Sequence, residues 1–187
     1  MPTLYILAGS NGAGKTTASK TLLPEVFNMD IFINADIIAA QLNPGNPESA
    51  AFTAGRITLE RIQETLATRK TFAIETTLAT RTYLNLVKQT RLSGYEVTLL
   101  FFYLPSAEMA KERVKLRVSE GGHNIPPDVI ERRYYSGIKN LFEYILIVDS
   151  WWLYKNDMTP PELIAEGELE SITKIYNFEL WEQLRKI

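Results

Sequence analysis

The sequence predicts an α/β protein whose core is a mostly parallel, five-stranded sheet with helices on both faces. Three observations predict it. Short runs that are apolar at consecutive positions alternate with longer stretches of helical period, as strands covered on both faces require. Most of these runs are separated by helix-length segments rather than tight turns, which fits parallel pairing through right-handed crossovers. The first run also stops abruptly at a glycine cluster followed by a lysine and two threonines, "AGSNGAGKTT" at 8–17.

The strand-like runs are "TLYILAG" (3–9), "IFINAD" (31–36), "TFAIETTL" (71–78), "EVTLLFFYL" (96–104) and "YILIVDS" (144–150). Helical stretches fall between them. A first helix is expected over 15–23, and a longer one over 49–68 carries Ile57, Ile62 and Leu66 in register. The stretch 81–94 ends in Gly94, a residue suited to a helix C-terminus. The stretch 106–122 opens on a serine cap and closes on two glycines, and 126–145 opens on prolines suited to a first turn. A final amphipathic helix is expected over 177–187, with Phe178, Trp181 and Leu184 facing the body. No repeat or linker interrupts the 187 residues, so one compact domain over 1–187 is expected.

Composition excludes several kinds of chemistry. With no cysteine there is no disulfide, thiolate metal site or cysteine nucleophile, and with one histidine there is no histidine-rich zinc site. A formal net charge of −2 leaves no basic excess for a nucleic-acid platform. The N-terminus lacks the pattern of a signal peptide, and no run reaches transmembrane length, so neither a membrane nor a nucleic-acid partner is expected and the location is read as cytoplasmic.

The glycine cluster carries the chemistry. Gly9, Ser10, Asn11, Gly12, Ala13, Gly14, Lys15 and Thr16 fit G-x-x-x-x-G-K-[ST], with Thr17 next. Glycines let successive backbone N–H groups turn inward onto phosphate oxygens, and the positive end of the following helix points the same way. Lys15 reaches the β- and γ-phosphates, and the Thr16 hydroxyl is a ligand for Mg²⁺. A nucleoside triphosphate, ATP or GTP, is therefore expected. The N-K-x-D base-reading motif of GTPases is absent, and the strand "VTLLFFYLP" ends without the carboxylate usual in motor ATPases.

Acidic groups must then come from elsewhere, and open α/β sheets place ligands at the C-terminal ends of their strands. Asp36 ends one run and is a candidate base toward a substrate hydroxyl, or else a helix cap. Glu75 ends another and could orient substrate or hold Mg²⁺ through water. Asp149 ends the last run. Positive charge for the migrating phosphoryl group is offered by "KERVKLRVSEGGHNIPPDVIERR", a helix–hinge–helix pattern that reads as a lid over about 113–133. Arg113 and Arg117 share a helix face, and Arg133 borders an apolar face while Arg132 points nearly opposite. His123, in the glycine turn, is a candidate substrate hydrogen bonder.

Together the phosphate loop, "INAD", "NPGNPESAAFTAGRITL", "FAIETTL", "GYEVTLLFFYL", "RVKLRVSEGGHNIPPDVIERRY" and "LYKND" resemble the compact bacterial zeta-toxin-like P-loop kinases, over about Thr3 to Asn156. The resemblance implies a P-loop NTPase fold of the kinase type, ATP or GTP with Mg²⁺, and transfer to the 3′-hydroxyl of the amino sugar of UDP-N-acetylglucosamine. It implies that Lys15 and Thr16 serve the nucleotide and metal, and that Asp36 is the base. Glu75 and Thr77 match a substrate-contacting Glu-x-Thr, and Arg113 or Arg117 matches the first phosphate-clamping arginine. An antitoxin is an implied partner. The pattern departs at the second arginine: where the better-studied toxins have Arg before Thr-Pro, this chain reads "GGHNIP", with His123 near that place. Either Arg133 supplies the charge or the clamp is weaker. Two other readings compete: an ATP-dependent nucleic-acid enzyme or polynucleotide kinase, and a regulatory nucleotide-binding module without turnover.

Overall fold

The computed structural model describes residues 1–18, 20 and 31–187. Seven strands form one mixed sheet in the order β2-β3-β1-β4-β5-β6-β7. They are β1 (Thr3–Gly9), β2 (Phe32–Asn34), β3 (Phe72–Thr76), β4 (Glu96–Tyr103), β5 (Ser150–Lys155), β6 (Glu162–Glu168) and β7 (Ser171–Ile175). The first five strands pair in parallel, and β6 and β7 add antiparallel to the β5 edge. The predicted kind of sheet is therefore present, with two more strands than expected.

Helix α1 opens at Lys15 and is described at 15–18 and 20; the remainder of the helix expected over 15–23 lies outside the described residues. The other helices are α2 (Ala35–Leu42), α3 (Ala51–Ala67), α4 (Thr82–Leu92), α5 (Ala107–Ser119), α6 (Pro127–Tyr144) and α7 (Phe178–Leu184). A 3-10 turn, Pro47–Ala50, leads into α3. Ser106 caps α5 by accepting from the Met109 amide at 3.1 Å, and Gly94 follows α4 at φ 80°, both as the sequence predicts.

The central strands explain where the ligand edge lies. β1 is flanked by β3 and β4, and the β4 residues Val97 to Tyr103 are all buried. Strands so covered deliver their C-terminal ends to one edge, which gathers Gly9, Asn34, Glu75 and Tyr103.

Three expectations are corrected. The fifth strand begins at Ser150, not Tyr144. The apolar run at 144–148 belongs to the end of α6 and the turn after it: Tyr144 completes the buried stripe of Ile130, Tyr134, Ile138 and Leu141, and Val148 fills the turn. Asp149 consequently stands before the start of β5, at the sheet edge opposite the phosphate loop. Its carboxylate accepts from the Val97 amide at 2.7 Å and pairs with Arg91 at 2.8 Å, so it fastens α4 and β4 to the β5 entry. In α7, Trp181 and Leu184 are buried, and Trp181 stacks on Trp151 with centroids 5.7 Å apart, but Phe178 is 68% exposed. Phe178 is the first residue of α7, directly after the cap Asn177, and its side chain stands outside the face that Trp181 and Leu184 bury.

The β6–β7 hairpin was not predicted. Its connection is Leu169-Glu170, both at positive φ (46° and 68°), where Asn-Gly or Asp-Gly would ordinarily announce the turn. Among the described residues, no helix is long and apolar enough to cross a membrane.

The placement of Asp149 makes it a fastener rather than part of the chemistry. Asp149→Ala should lower stability by roughly 1–3 kcal/mol, the usual cost of leaving such polar partners unmet. A thermal melt of the variant beside the parent checks this.

Candidate functional site

The phosphate loop joins β1 to α1, and Gly9, Gly12 and Gly14 all take positive φ there, at 139°, 78° and 81°. Lys15 opens the helix and is only 5% exposed. Its ammonium donates to the Ser10 carbonyl at 2.8 Å and stands 3.7 Å from Glu75 Oε1. Burial lowers its proton affinity below that of an ordinary lysine. Glu75 and Asp36 oppose that shift, while the positive charges of Arg117 and Arg133 add to it. Ser10 Oγ, Asn11 Oδ1 and Arg117 Nε are buried without a hydrogen-bond partner among the described residues, so the loop and the arginine facing it hold polar atoms that these residues do not satisfy.

Glu75 sits near the C-terminal end of β3, in register with Leu7 of β1. The Thr16 hydroxyl donates to its Oε2 at 3.1 Å. A hydroxyl and a carboxylate side by side beside a phosphate cradle are hard oxygen donors of the kind Mg²⁺ accepts, with waters and phosphate oxygens completing its shell. The residues present fit that ion.

Asp36 is the second residue of α2, and it is not the cap. Asn34 caps the helix, its Oδ1 accepting from the amides of Asp36 at 2.8 Å and Ile37 at 3.3 Å. The Asp36 carboxylate is therefore not engaged at the helix start. It lines three adjoining cavities. The first, about 230 Å³, runs along the phosphate loop between Asn11 and Thr17 and is walled by Arg113 and Arg117. The second, about 170 Å³, is lined by Asn34, Thr77, Thr80, Tyr83 and Arg133. These two cavities share Lys15, Asp36 and Glu75. The third, about 100 Å³, contains His123, Glu48 and Arg133.

The three arginines are differently engaged. Arg113 donates to the carbonyls of Asn156 at 2.7 Å and Asp157 at 3.2 Å. Arg117 donates from Nη2 to the His123 carbonyl at 3.3 Å, which leaves its buried Nε unpartnered. Arg133 stands 4.0 Å from Glu48, and Arg132 is exposed, as the helix periodicity predicts. His123 thus contributes its carbonyl to Arg117, while its side chain lines the smallest cavity.

Several residues of the site were not predicted from the sequence. The predicted Thr77 lies in the loop after β3, and the residues of α6 that hold that loop from behind are among those missed. Asn140 donates to the Leu78 carbonyl at 2.6 Å, and Tyr144 donates to the Thr80 carbonyl at 3.3 Å. At Gly137 the two backbones approach so closely that a Cβ would meet the Thr77 oxygen at 2.4 Å. The signal available was the polar Asn140 on the apolar stripe of α6. Tyr83 and Asn34 also line the second cavity; Tyr83 stands in no recognisable motif, and in "INAD" Asp36 rather than Asn34 was singled out.

The fold that these elements and the phosphate loop define is the P-loop kinase-like fold. The zeta toxin family model matches residues 1–145, and the chain belongs to that family. A relative from Haemophilus influenzae, of unassigned function, is 33% identical over 129 residues, covering 67% of this chain and 88% of its own. Among solved structures, a chain of the AvrRxo1-ORF1:-ORF2 complex with ATP superimposes with a TM-score of 0.74 at 17% identity over 98% of this chain. This chain spans 63% of that one. A chain of the PezAT chromosomal toxin–antitoxin system of Streptococcus pneumoniae gives a TM-score of 0.70 at 22% identity, covering 97% of this chain and 76% of its own. Shikimate kinase from Acinetobacter baumannii gives 0.53 at 17% identity over 84% and 85% of the two chains.

The cap assignment yields a direct test. Asn34→Ala should cost about 1 kcal/mol of stability, the usual cost of a lost helix cap. Asp36→Asn should leave the melting temperature within a degree or two of the parent. Thermal melts of the two variants on equal footing check both.

Proposed function

We propose that this protein is a kinase that transfers the γ-phosphate of ATP or GTP to a hydroxyl of a sugar-containing small molecule. UDP-N-acetylglucosamine is the acceptor that the family resemblance singles out. The observation that carries the reading is the meeting of two cavities at Lys15, Asp36 and Glu75. One follows the phosphate loop and takes the donor. The other, polar and adjacent, takes the acceptor.

In this reading the loop amides and Lys15 cradle the β- and γ-phosphates. Thr16, and Glu75 through water, would hold Mg²⁺, which when bound neutralises charge on the phosphates. The acceptor oxygen attacks the γ-phosphorus as the bond to the leaving ADP or GDP oxygen breaks, and Asp36 receives the hydroxyl proton. Arg117 lines the phosphate-loop cavity and Arg133 the adjacent one, from the two helices of the lid, and both raise the positive potential at Lys15. Their charge suits the equatorial oxygens of the migrating group. Arg113, held by two backbone carbonyls, serves the loop wall instead. Thr77 and His123 face the acceptor side. A proteinaceous antitoxin is the partner this reading implies, by analogy with the PezAT system.

The reading is tested by incubating a metabolite extract with the protein, ATP and Mg²⁺. Mass spectrometry should find new species heavier by one phosphate, with UDP-N-acetylglucosamine tested alone beside the extract. No new phosphorylated species from either would contradict it. Lys15→Ala should abolish the transfer, and Asp36→Asn should slow it by about 10²-fold or more while still binding ATP, since an amide cannot take the proton. Arg117→Ala and Arg133→Ala should each cost about 10²-fold, the usual size of such electrostatic contributions. Arg113→Ala should cost less. Rates of purified variants on one acceptor decide the ranking.

A further inference from the structure

We propose that Asn156 is a positioning residue that sets the phosphate loop in its binding shape. The proposal rests on the kinase reading above and names a residue that the chemistry itself does not use. Asn156 follows β5, some 140 residues from the loop. Its side-chain amide nevertheless donates to the Ala13 carbonyl at 2.7 Å. A trans peptide holds its C=O and N–H on opposite sides of the chain. Anchoring the Ala13 oxygen on Asn156 therefore turns the Gly14 N–H the other way, into the concavity where the loop meets phosphate oxygens. Gly14 sits directly against the clasp: a Cβ there would lie 2.5 Å from Asn156 Nδ2, and its φ of 81° is the region that favours glycine.

Asn156 is itself fixed from two further sides. Its backbone N–H donates to the Tyr103 carbonyl at the end of β4, at 2.8 Å. Its carbonyl accepts from Arg113 Nη1 at 2.7 Å. One residue thus joins the phosphate loop, the sheet edge and the lid helix. A loop rich in glycine has many conformations to lose on binding. A side chain that holds one peptide plane in place removes part of that loss before the nucleotide arrives.

The test compares Mg²⁺–ATP with Mg²⁺–tripolyphosphate, which has the phosphates and no base, by calorimetric titration of the full chain. The variants are Asn156→Ala and Asn156→Leu, the second keeping the bulk of the side chain while removing its donor. Both variants should bind the two ligands at least tenfold more weakly than the parent, by the same factor for each ligand. Melting temperatures without ligand should stay close to the parent. Parent-like binding by a folded variant overturns the proposal, as does a loss confined to ATP, which would make Asn156 a reader of the base. A parent protein that binds neither ligand would instead overturn the kinase reading on which the proposal stands.

Discussion

Lys15 is a nearly fully buried ammonium with one carbonyl at 2.8 Å and one carboxylate oxygen at 3.7 Å. Burying a charge this thinly accompanied is costly unless a partner completes it, and its lowered proton affinity reflects that cost. The surrounding architecture makes the arrangement possible. Five parallel strands bring their C-terminal ends to one edge, and the central strand turns there into the phosphate loop. β3, beside it, places Glu75 against both Lys15 and Thr16. A polyphosphate is the anion that would accept from the lysine, the loop amides, the Ser10 hydroxyl and Arg117 Nε together.

The carboxylates divide the site. Glu75 is drawn toward Thr16 and Lys15, on the phosphate-loop side. Asp36 is left uncommitted because Asn34 does the capping two residues earlier. That division is how one edge of a sheet holds an anion-binding loop and a candidate base without the two neutralising each other. The wall of the second cavity is set from the opposite direction, by α6. The same helix carries Arg133 near its start, and Gly137, Asn140 and Tyr144 against the Thr77–Thr80 loop further along.

Much of this was legible in the sequence where local chemistry and pattern agree. The glycine loop, the consecutive apolar strands and the serine cap of α5 each state their structure in a few residues. The preference for Arg133 over Arg132 followed from helix periodicity alone. What failed were places where two signals overlap or the expected one is missing. In "INADII" both Asn34 and Asp36 are favoured caps, so composition could not choose between them. The run "YILIV" is apolar enough for a strand, yet it finishes the stripe of a helix. The Leu169-Glu170 turn lacks the residues that its backbone conformation usually selects, so the edge hairpin had no marker. Asn156 acts at a distance of more than a hundred residues, and no local pattern reveals such a contact.

The central claim is that donor and acceptor meet at Lys15 and Asp36. The most direct measurement is a crystal structure with a non-hydrolysable ATP analogue and Mg²⁺. The account predicts that the Lys15 ammonium leaves the Ser10 carbonyl for the β- and γ-phosphate oxygens. It also predicts that the γ-phosphate stands at the junction of the two cavities, facing Asp36 across the acceptor side. A triphosphate whose terminal group points away from that junction, or an Asp36 carboxylate turned from it, would contradict the account.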